Sequence, residues 1–360
     1  MASNRASAPP QPESPAEFLR TIINSHIATR VAARDRDRRA IVTRSGSRYR
    51  PHIMLSASDL TRLSRSLVRV RAAVPDDAFT ASILGTERSG NGVVIGADGL
   101  VLTIGYLITE ATEVWLTTHS GREMPGHALA YDQVTGFGLI LPLGTIDAAP
   151  LPLGDGAALR VDQPAHVLSH VQLAAPLAVN ILALREFAGA WEYLLDQAIY
   201  TVPAHTHWSG AALIDAYGAL VGVGSLLVKE INGSRESDAN LFVPTDLLKP
   251  LLEELRSRGR ALRAPRPWLG LYVAEAKGVV LVAGVAEGGP AQAADIREGD
   301  LIREVGGQEV SSMAELYRRI WDKGPAGTPI TLTTTRAGKP CIVRLKSIDR
   351  TDLLKRPIAH

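Results

Sequence analysis

The chain has 360 residues, 46% of them hydrophobic and 21% charged, with a formal net charge of +2. That length exceeds what one hydrophobic core usually supports, so more than one domain is expected, and the composition excludes a wholly disordered chain. The single cysteine, Cys341, excludes an intrachain disulfide. Its neighbours Pro340, Ile342 and Val343 suggest a strand, where a buried or half-buried thiol is expected. The lack of disulfides fits a reducing compartment.

Residues 1–60 read as a basic arm. Residues 1–71 hold 14 Arg and no Lys against five acidic side chains, a net +9, which leaves −7 for the remainder. Such an arm could meet an anionic membrane face, a nucleic acid or an acidic partner. The arginines are spread out and interrupted by Asp35 and Asp37, which favours an arm that stays solvated or docks on its own acidic body. No nucleic acid is therefore expected, and contact with a membrane surface is the less favoured reading. Pro9, Pro10, Pro12 and Pro15 mark a disordered start, and Phe18, Ile22, Ile23, Ile27 and Val31 then recur at the spacing of an amphipathic helix over 17–33. No apolar signal-peptide core and no membrane-length run follow, so a cytoplasmic location is expected.

From residue 61 short apolar runs alternate with turn signals at Asn91-Gly92, Asp98-Gly99, Ser120-Gly121 and Leu153-Gly154-Asp155, the spacing of an all-β barrel or sandwich. Phe242-Val243-Pro244-Thr245 opens a helix predicted to run through Arg258, with Thr245 as its N-cap. Residues 92–140 carry Ala97-Asp98-Gly99-Leu100 followed by Leu102-Thr103-Ile104-Gly105-Tyr106-Leu107-Ile108. Next comes Asp132-Gln133-Val134-Thr135-Gly136-Phe137-Gly138-Leu139-Ile140, and later His207-Trp208-Ser209-Gly210-Ala211-Ala212-Leu213. In this order the strings resemble the trypsin-like proteases of the HtrA/Deg family, over about residues 68–258.

The resemblance assigns the family's general base to the position of Tyr106, its orienting acid to Gly136 and its nucleophile to Ser209. A serine hydroxyl needs an adjacent base to take its proton, and tyrosine, with an ordinary pKa of about 10, is a poor acceptor at neutral pH. Glycine offers no side chain. His207 also stands where the family has the glycine whose N–H helps form the oxyanion hole. The chain therefore reads as a protease homologue without proteolysis. The alternative is an active serine endopeptidase in which Ser209 uses a non-standard base. His205 and His207 are weak candidates for that base or for a metal site, being on the serine's own loop. Tyr106 and Trp208 are expected to fill the space the triad left.

An Arg- and Pro-rich linker, 259–267, leads to a second unit over 268–347, with a tail at 348–360. Trp268-Leu269-Gly270-Leu271, a strand from Val279 to Val285, and Gly289-Pro290-Ala291-Gln292-Ala293-Ala294-Asp295-Ile296-Arg297-Glu298-Gly299-Asp300-Leu301-Ile302 follow in that order. Together they resemble an HtrA-type PDZ domain, departing from its pattern at Asp295 and Ile296. A hairpin at residues 305–310, a helix capped by Ser312 and strands from Ile330 and Cys341 complete the pattern. The expected fold class is mainly β: a trypsin-like double β-barrel over 61–258 followed by an α+β PDZ domain.

The resemblance implies capture of protein or peptide C-termini. An extended peptide adds to a sheet edge while backbone N–H groups of Leu269, Gly270 and Leu271 hold its carboxylate. Trp268, Leu269, Gly270, Leu271, Met313 and Tyr317 are the expected peptide-binding residues, with Leu316 and Ile320 in the core. No cofactor or metal is expected. The resemblance further implies homo-oligomers, trimers in many relatives, built through N-terminal segments.

Overall fold

The computed structural model describes residues 55–170, 175–232 and 235–355. The helix expected over 17–33 lies outside the described residues. A helix, α1 (Ala57–Ser64), opens the described chain behind a capping box in which Ser56 accepts from Asp59 N and the Asp59 side chain accepts from Ser56 N. Six antiparallel strands follow: β1 (Leu67–Ala73), β2 (Glu87–Val94), β3 (Val101–Ile104), β4 (Glu113–Thr117), β5 (Glu123–Tyr131) and β6 (Phe137–Pro142). They close a barrel in the order β1-β2-β3-β6-β5-β4. A second closed barrel runs β10-β11-β12-β9-β8-β7. Its strands are β7 (Pro164–Leu168), β8 (Leu177–Gly189), β9 (Tyr193–Val202), β10 (Ala212–Ile214), β11 (Leu220–Asn232) and β12 (Arg235–Pro244). Closure leaves no open sheet edge, and the pleat sends alternate side chains inward. In β1, Val68, Val70 and Ala72 are buried while Arg69 is exposed.

One buried cluster joins the barrels, with Leu102 and Phe137 from the first and Tyr200 and Val223 from the second. The sequence suggests a turn at Asn91-Gly92, but both residues lie inside β2. The barrel interface overrides that local preference, because Asn91 is fully buried and its polar atoms find partners on the second barrel. The helix expected from Thr245 to Arg258 is also corrected. It divides into a 3-10 turn, Thr245–Leu247, and a helix α2 (Leu252–Arg258). Pro250 lacks an N–H and its ring clashes with the preceding turn, so a continuous helix cannot pass through it. Thr245 does not cap: its hydroxyl donates to Leu220 O at 2.9 Å.

The C-terminal sheet comprises β13 (Leu271–Ala276), β14 (Val279–Val285), β15 (Leu301–Val305), β16 (Gln308–Glu309), β17 (Pro329–Arg336) and β18 (Lys339–Lys346). Its order is β13-β14-β15-β17-β18, with β16 paired to β15. Gly306 and Gly307, at φ +58 and +77, turn β15 into β16 in the way a two-residue hairpin requires. Helix α3 (Met313–Trp321) starts at Ser312, whose side chain accepts from Glu315 N, and it buries Met313, Leu316, Tyr317 and Ile320. Cys341 is exposed, against the expectation of a buried thiol. It sits on β18, an edge strand paired only to β17 whose side chains are mostly solvent-facing.

Candidate functional site

Tyr106 lies in the 3-10 turn Gly105–Leu107 that ends β3, and Ser209 lies in the loop before β10. Their hydroxyl oxygens are 2.8 Å apart, and Tyr106 Oη is also 2.8 Å from the carbonyl oxygen of Ser225. A phenol carries one proton. Given to the Ser225 carbonyl, which can only accept, it leaves the serine hydroxyl to donate to the phenol oxygen. Burial pushes the Tyr106 phenol above its ordinary value, with the Ser209 contact opposing. The group facing Ser209 is thus a neutral phenol, a very weak base at its oxygen.

The serine's loop is held firmly. Ser209 O accepts from Asn91 N at 2.8 Å and from Asn91 Nδ2 at 2.9 Å, and Asn91 Nδ2 also reaches His207 O at 3.0 Å. On its other side Asn91 Oδ1 accepts from Ser169 Oγ and His170 N. Gly210, at φ +72, passes so close that an added Cβ would sit 1.9 Å from Asn91 O. Only glycine fits that approach. His207 is held within its own loop. His207 N–H donates to His205 Nδ1 at 2.9 Å, so that donor is turned onto its own loop. His205 is in turn fixed by Asn240, which accepts from His205 N at 2.6 Å. Neither imidazole hydrogen-bonds Ser209 Oγ among the described residues, and no group of three or more His, Cys, Asp or Glu there could hold a metal ion.

Gly136 has φ +80, donates to Asp132 O and accepts from Gly105 N, each at 2.7 Å. A Cβ there would lie 3.0 Å from Tyr193 Oη, which itself donates to Thr135 O at 2.7 Å. A side chain at residue 136 would thus need a left-handed backbone and would press on the Tyr193 hydroxyl. Beside it lies a cavity of about 250 Å³ lined by Phe79, Ile83, Tyr106, Trp191, Tyr193 and Trp208.

At the C-terminal sheet, the N–H groups of Leu269, Gly270 and Leu271 converge as expected, with φ +79 at Gly270 shaping the turn. They converge on a carboxylate of the same chain. Glu192 Oε1 accepts from Gly270 N at 2.7 Å, Leu271 N at 2.9 Å and Leu269 N at 3.2 Å, and Oε2 accepts from Leu269 N at 3.1 Å. Burial pushes the Glu192 carboxyl up to about 7, outweighing those bonds and the nearby Arg350. Trp268 is adjacent but not a donor to this carboxylate: its N–H goes to Ile348 O at 3.0 Å and its ring meets Phe79 edge-on.

Glu192 projects from the tight connection between β8 and β9, itself at φ +58. Around it Val273 N donates to Ala190 O at 2.9 Å, and Tyr317 Oη donates to Gly189 O at 2.6 Å while accepting from Glu192 N at 3.3 Å. Leu194 is buried in the same cluster as Leu269, Leu271, Met313, Leu316 and Tyr317. Of the two helix residues expected at the groove, Tyr317 bonds the hairpin; Met313 is buried in that cluster, and its N–H goes to Glu275 Oε2 at 2.9 Å. Sequence reasoning missed Glu192 and Asn91. Glu192 carries no local motif, and the Asn-Gly pair gives the wrong signal.

Residues 90–223 match the model of the trypsin-like peptidase domain and residues 267–346 that of the PDZ domain. A DegP-like periplasmic serine endoprotease of Halomonas elongata is 25% identical over 271 residues, covering 69% of this chain and 54% of the relative, so the chain spans about half that relative's length. The serine endoprotease DegS of Haemophilus influenzae is 23% identical over 263 residues, 71% of this chain and 76% of the relative. The solved HtrA-type protease AlgW with a decapeptide has the same fold, with a TM-score of 0.51 at 19% identity, covering 84% of this chain and 99% of that one. Two six-stranded barrels meeting at Ser209, followed by a C-terminal sheet, thus give the chain a trypsin-like peptidase domain and a PDZ domain, similar to the DegP- and DegS-type serine endoproteases.

Proposed function

We propose that this chain is a proteolytically silent HtrA-type protein that works by binding, with the PDZ carboxylate loop as its recognition element for free, apolar C-termini. The observation that carries the first half is the Tyr106 phenol, 2.8 Å from Ser209 Oγ and 2.8 Å from the Ser225 carbonyl, in the space a base would need. Without a base and an acid, only about 10³–10⁴-fold catalysis over water is left to such sites, and it comes from the oxyanion hole and binding. Here the His207 donor is engaged by His205. The second half is supported by the three N–H groups that already hold a carboxylate in a buried cradle beside apolar side chains. AlgW was solved with a decapeptide, so a peptide is the natural ligand class to test on this chain.

The experiment is labelling of the full chain with a fluorophosphonate probe, alongside casein digestion. No Ser209 adduct and no turnover are expected. The pair Tyr106→His and Gly136→Asp is expected to stay silent too, because an Asp at residue 136 must adopt a left-handed backbone against the Tyr193 hydroxyl, and the His207 N–H stays engaged by His205. Labelling of the wild-type chain that disappears in Ser209→Ala would overturn the reading in favour of an active endopeptidase.

A further inference from the structure

The PDZ groove is filled by the chain's own second barrel. The connection between β8 and β9 brings a backbone carbonyl, Ala190 O, to the β13 edge at Val273 N, and a side-chain carboxylate to the loop N–H groups. It also brings Leu194 into the apolar cluster between the sheet and α3. Edge pairing, a carboxylate on convergent N–H groups and an aliphatic side chain in the adjoining pocket are the contacts an apolar C-terminal peptide would make. Glu192 adopts φ +58, the left-handed conformation usual for the last residue of a three-residue hairpin loop, which turns its side chain away from the strand ladder. Arg318 of α3 bridges Glu186 on β8 and Asp196 on β9, clamping both strands of the hairpin.

We propose that the hairpin tip, residues 189–194, is an internal ligand of the PDZ groove. In it Glu192 stands for a terminal carboxylate and Leu194 for a terminal apolar side chain, so external C-termini bind only when the tip is displaced. This rests on reading the loop as a peptide site. It adds regulation to that reading: the affinity an external peptide shows is its intrinsic affinity reduced by the fraction of molecules whose groove is open. A partner must therefore carry a free carboxylate and an aliphatic terminal residue that together outcompete a tethered rival.

Two measurements on the full chain test the proposal. The first needs no variant: amide exchange of Leu269, Gly270 and Leu271 without added peptide. Protection in the wild type that is lost in Glu192→Ala is expected, and fast exchange in the wild type would overturn the proposal whatever a peptide does. The second is fluorescence polarisation with a fluorescein-labelled peptide ending in Val-Leu with a free carboxyl, and the same peptide amidated. Glu192→Ala is expected to bind the free-carboxyl peptide about tenfold tighter or more than wild type, as an open fraction of about one tenth or less requires, and to ignore the amide. Equal affinity in both proteins would overturn the internal-ligand proposal while leaving peptide capture standing. Protected amides with no peptide bound by either protein would overturn peptide capture itself, and the proposal with it.

Discussion

Ser209 and the PDZ loop each meet a side chain of their own chain, yet the two encounters differ in kind. At Ser209 the partner, Tyr106, is a buried phenol, and nearby Gly136 has a left-handed backbone with the Tyr193 hydroxyl close to where a Cβ would stand. Opening that site would not give it a base. At the loop three donors converge on Glu192, which presents the same functional group as the proposed ligand. On the proposed reading, chemistry is missing from the first site and access from the second. The comparison shows that occupancy alone does not mark a dead site; what matters is whether the groups beneath still fit a ligand.

The largest expected effect separates fold from chemistry at Ser209. Gly210→Ala should destabilise the protein by about 4 kcal/mol or more, because the new Cβ collides with backbone at residue 91 in a strained conformation. A shift in the urea midpoint reads this directly. A change of less than about 1 kcal/mol would mean that the loop can relax and that its protease-like geometry is not enforced.

The pH response of Glu192 comes next. Its docked carboxyl is raised to about 7, above the ordinary value of 4.5. A raised acid contributes docking stability that is fully present below 4.5 and is lost as pH climbs through 7. The 2.5-unit difference corresponds to about 3 kcal/mol. Arg350, Tyr272 and Tyr317 face this group, and burial pushes both phenols up, so the carboxyl is the acid that titrates in that window. Protection of the Leu269, Gly270 and Leu271 amides, corrected for intrinsic exchange, should fall from pH 5 to 8. Protection that rises instead would show that the three N–H donors outweigh the cost of burial.

Tyr106→Phe is expected to cost about 1–2 kcal/mol through the unpaired Ser225 carbonyl and Ser209 hydroxyl, without creating any fluorophosphonate labelling. Chemical denaturation and the probe assay check the two halves. The smallest effect is assigned to Arg318→Ala. Its ion pairs to Glu186 and Asp196 are largely exposed, with the guanidinium side chain 45% accessible, so a loss of a few tenths of a kcal/mol in hairpin docking is expected. A loss above about 1 kcal/mol would make the clamp a main determinant of closure.

The barrels and the PDZ sheet were legible because ordered strings fix them locally. What the sequence hid depends on distant contacts. Glu192 lies 77 residues before Leu269, and nothing around Trp191 or Tyr193 distinguishes it from a solvated hairpin glutamate. Asn91-Gly92 has hairpin-turn chemistry, and only the second barrel's approach makes a strand residue of it. The exposure of Cys341 follows from β18 lying at an edge, which strand order decides and composition does not. The break at Pro250 was readable from proline's missing N–H.

Asn91 has a consequence for how the molecule comes apart. It belongs to the first barrel, yet its side-chain amide and carbonyl are satisfied by His207, Ser209, Ser169 and His170 of the second. Separating the barrels would leave these buried partners on each side unpaired, at about 1–3 kcal/mol for each group not recovered by water. The apolar cluster they share would also be split. The barrels should therefore melt in a single cooperative transition, with neither persisting as an intermediate after the other has unfolded.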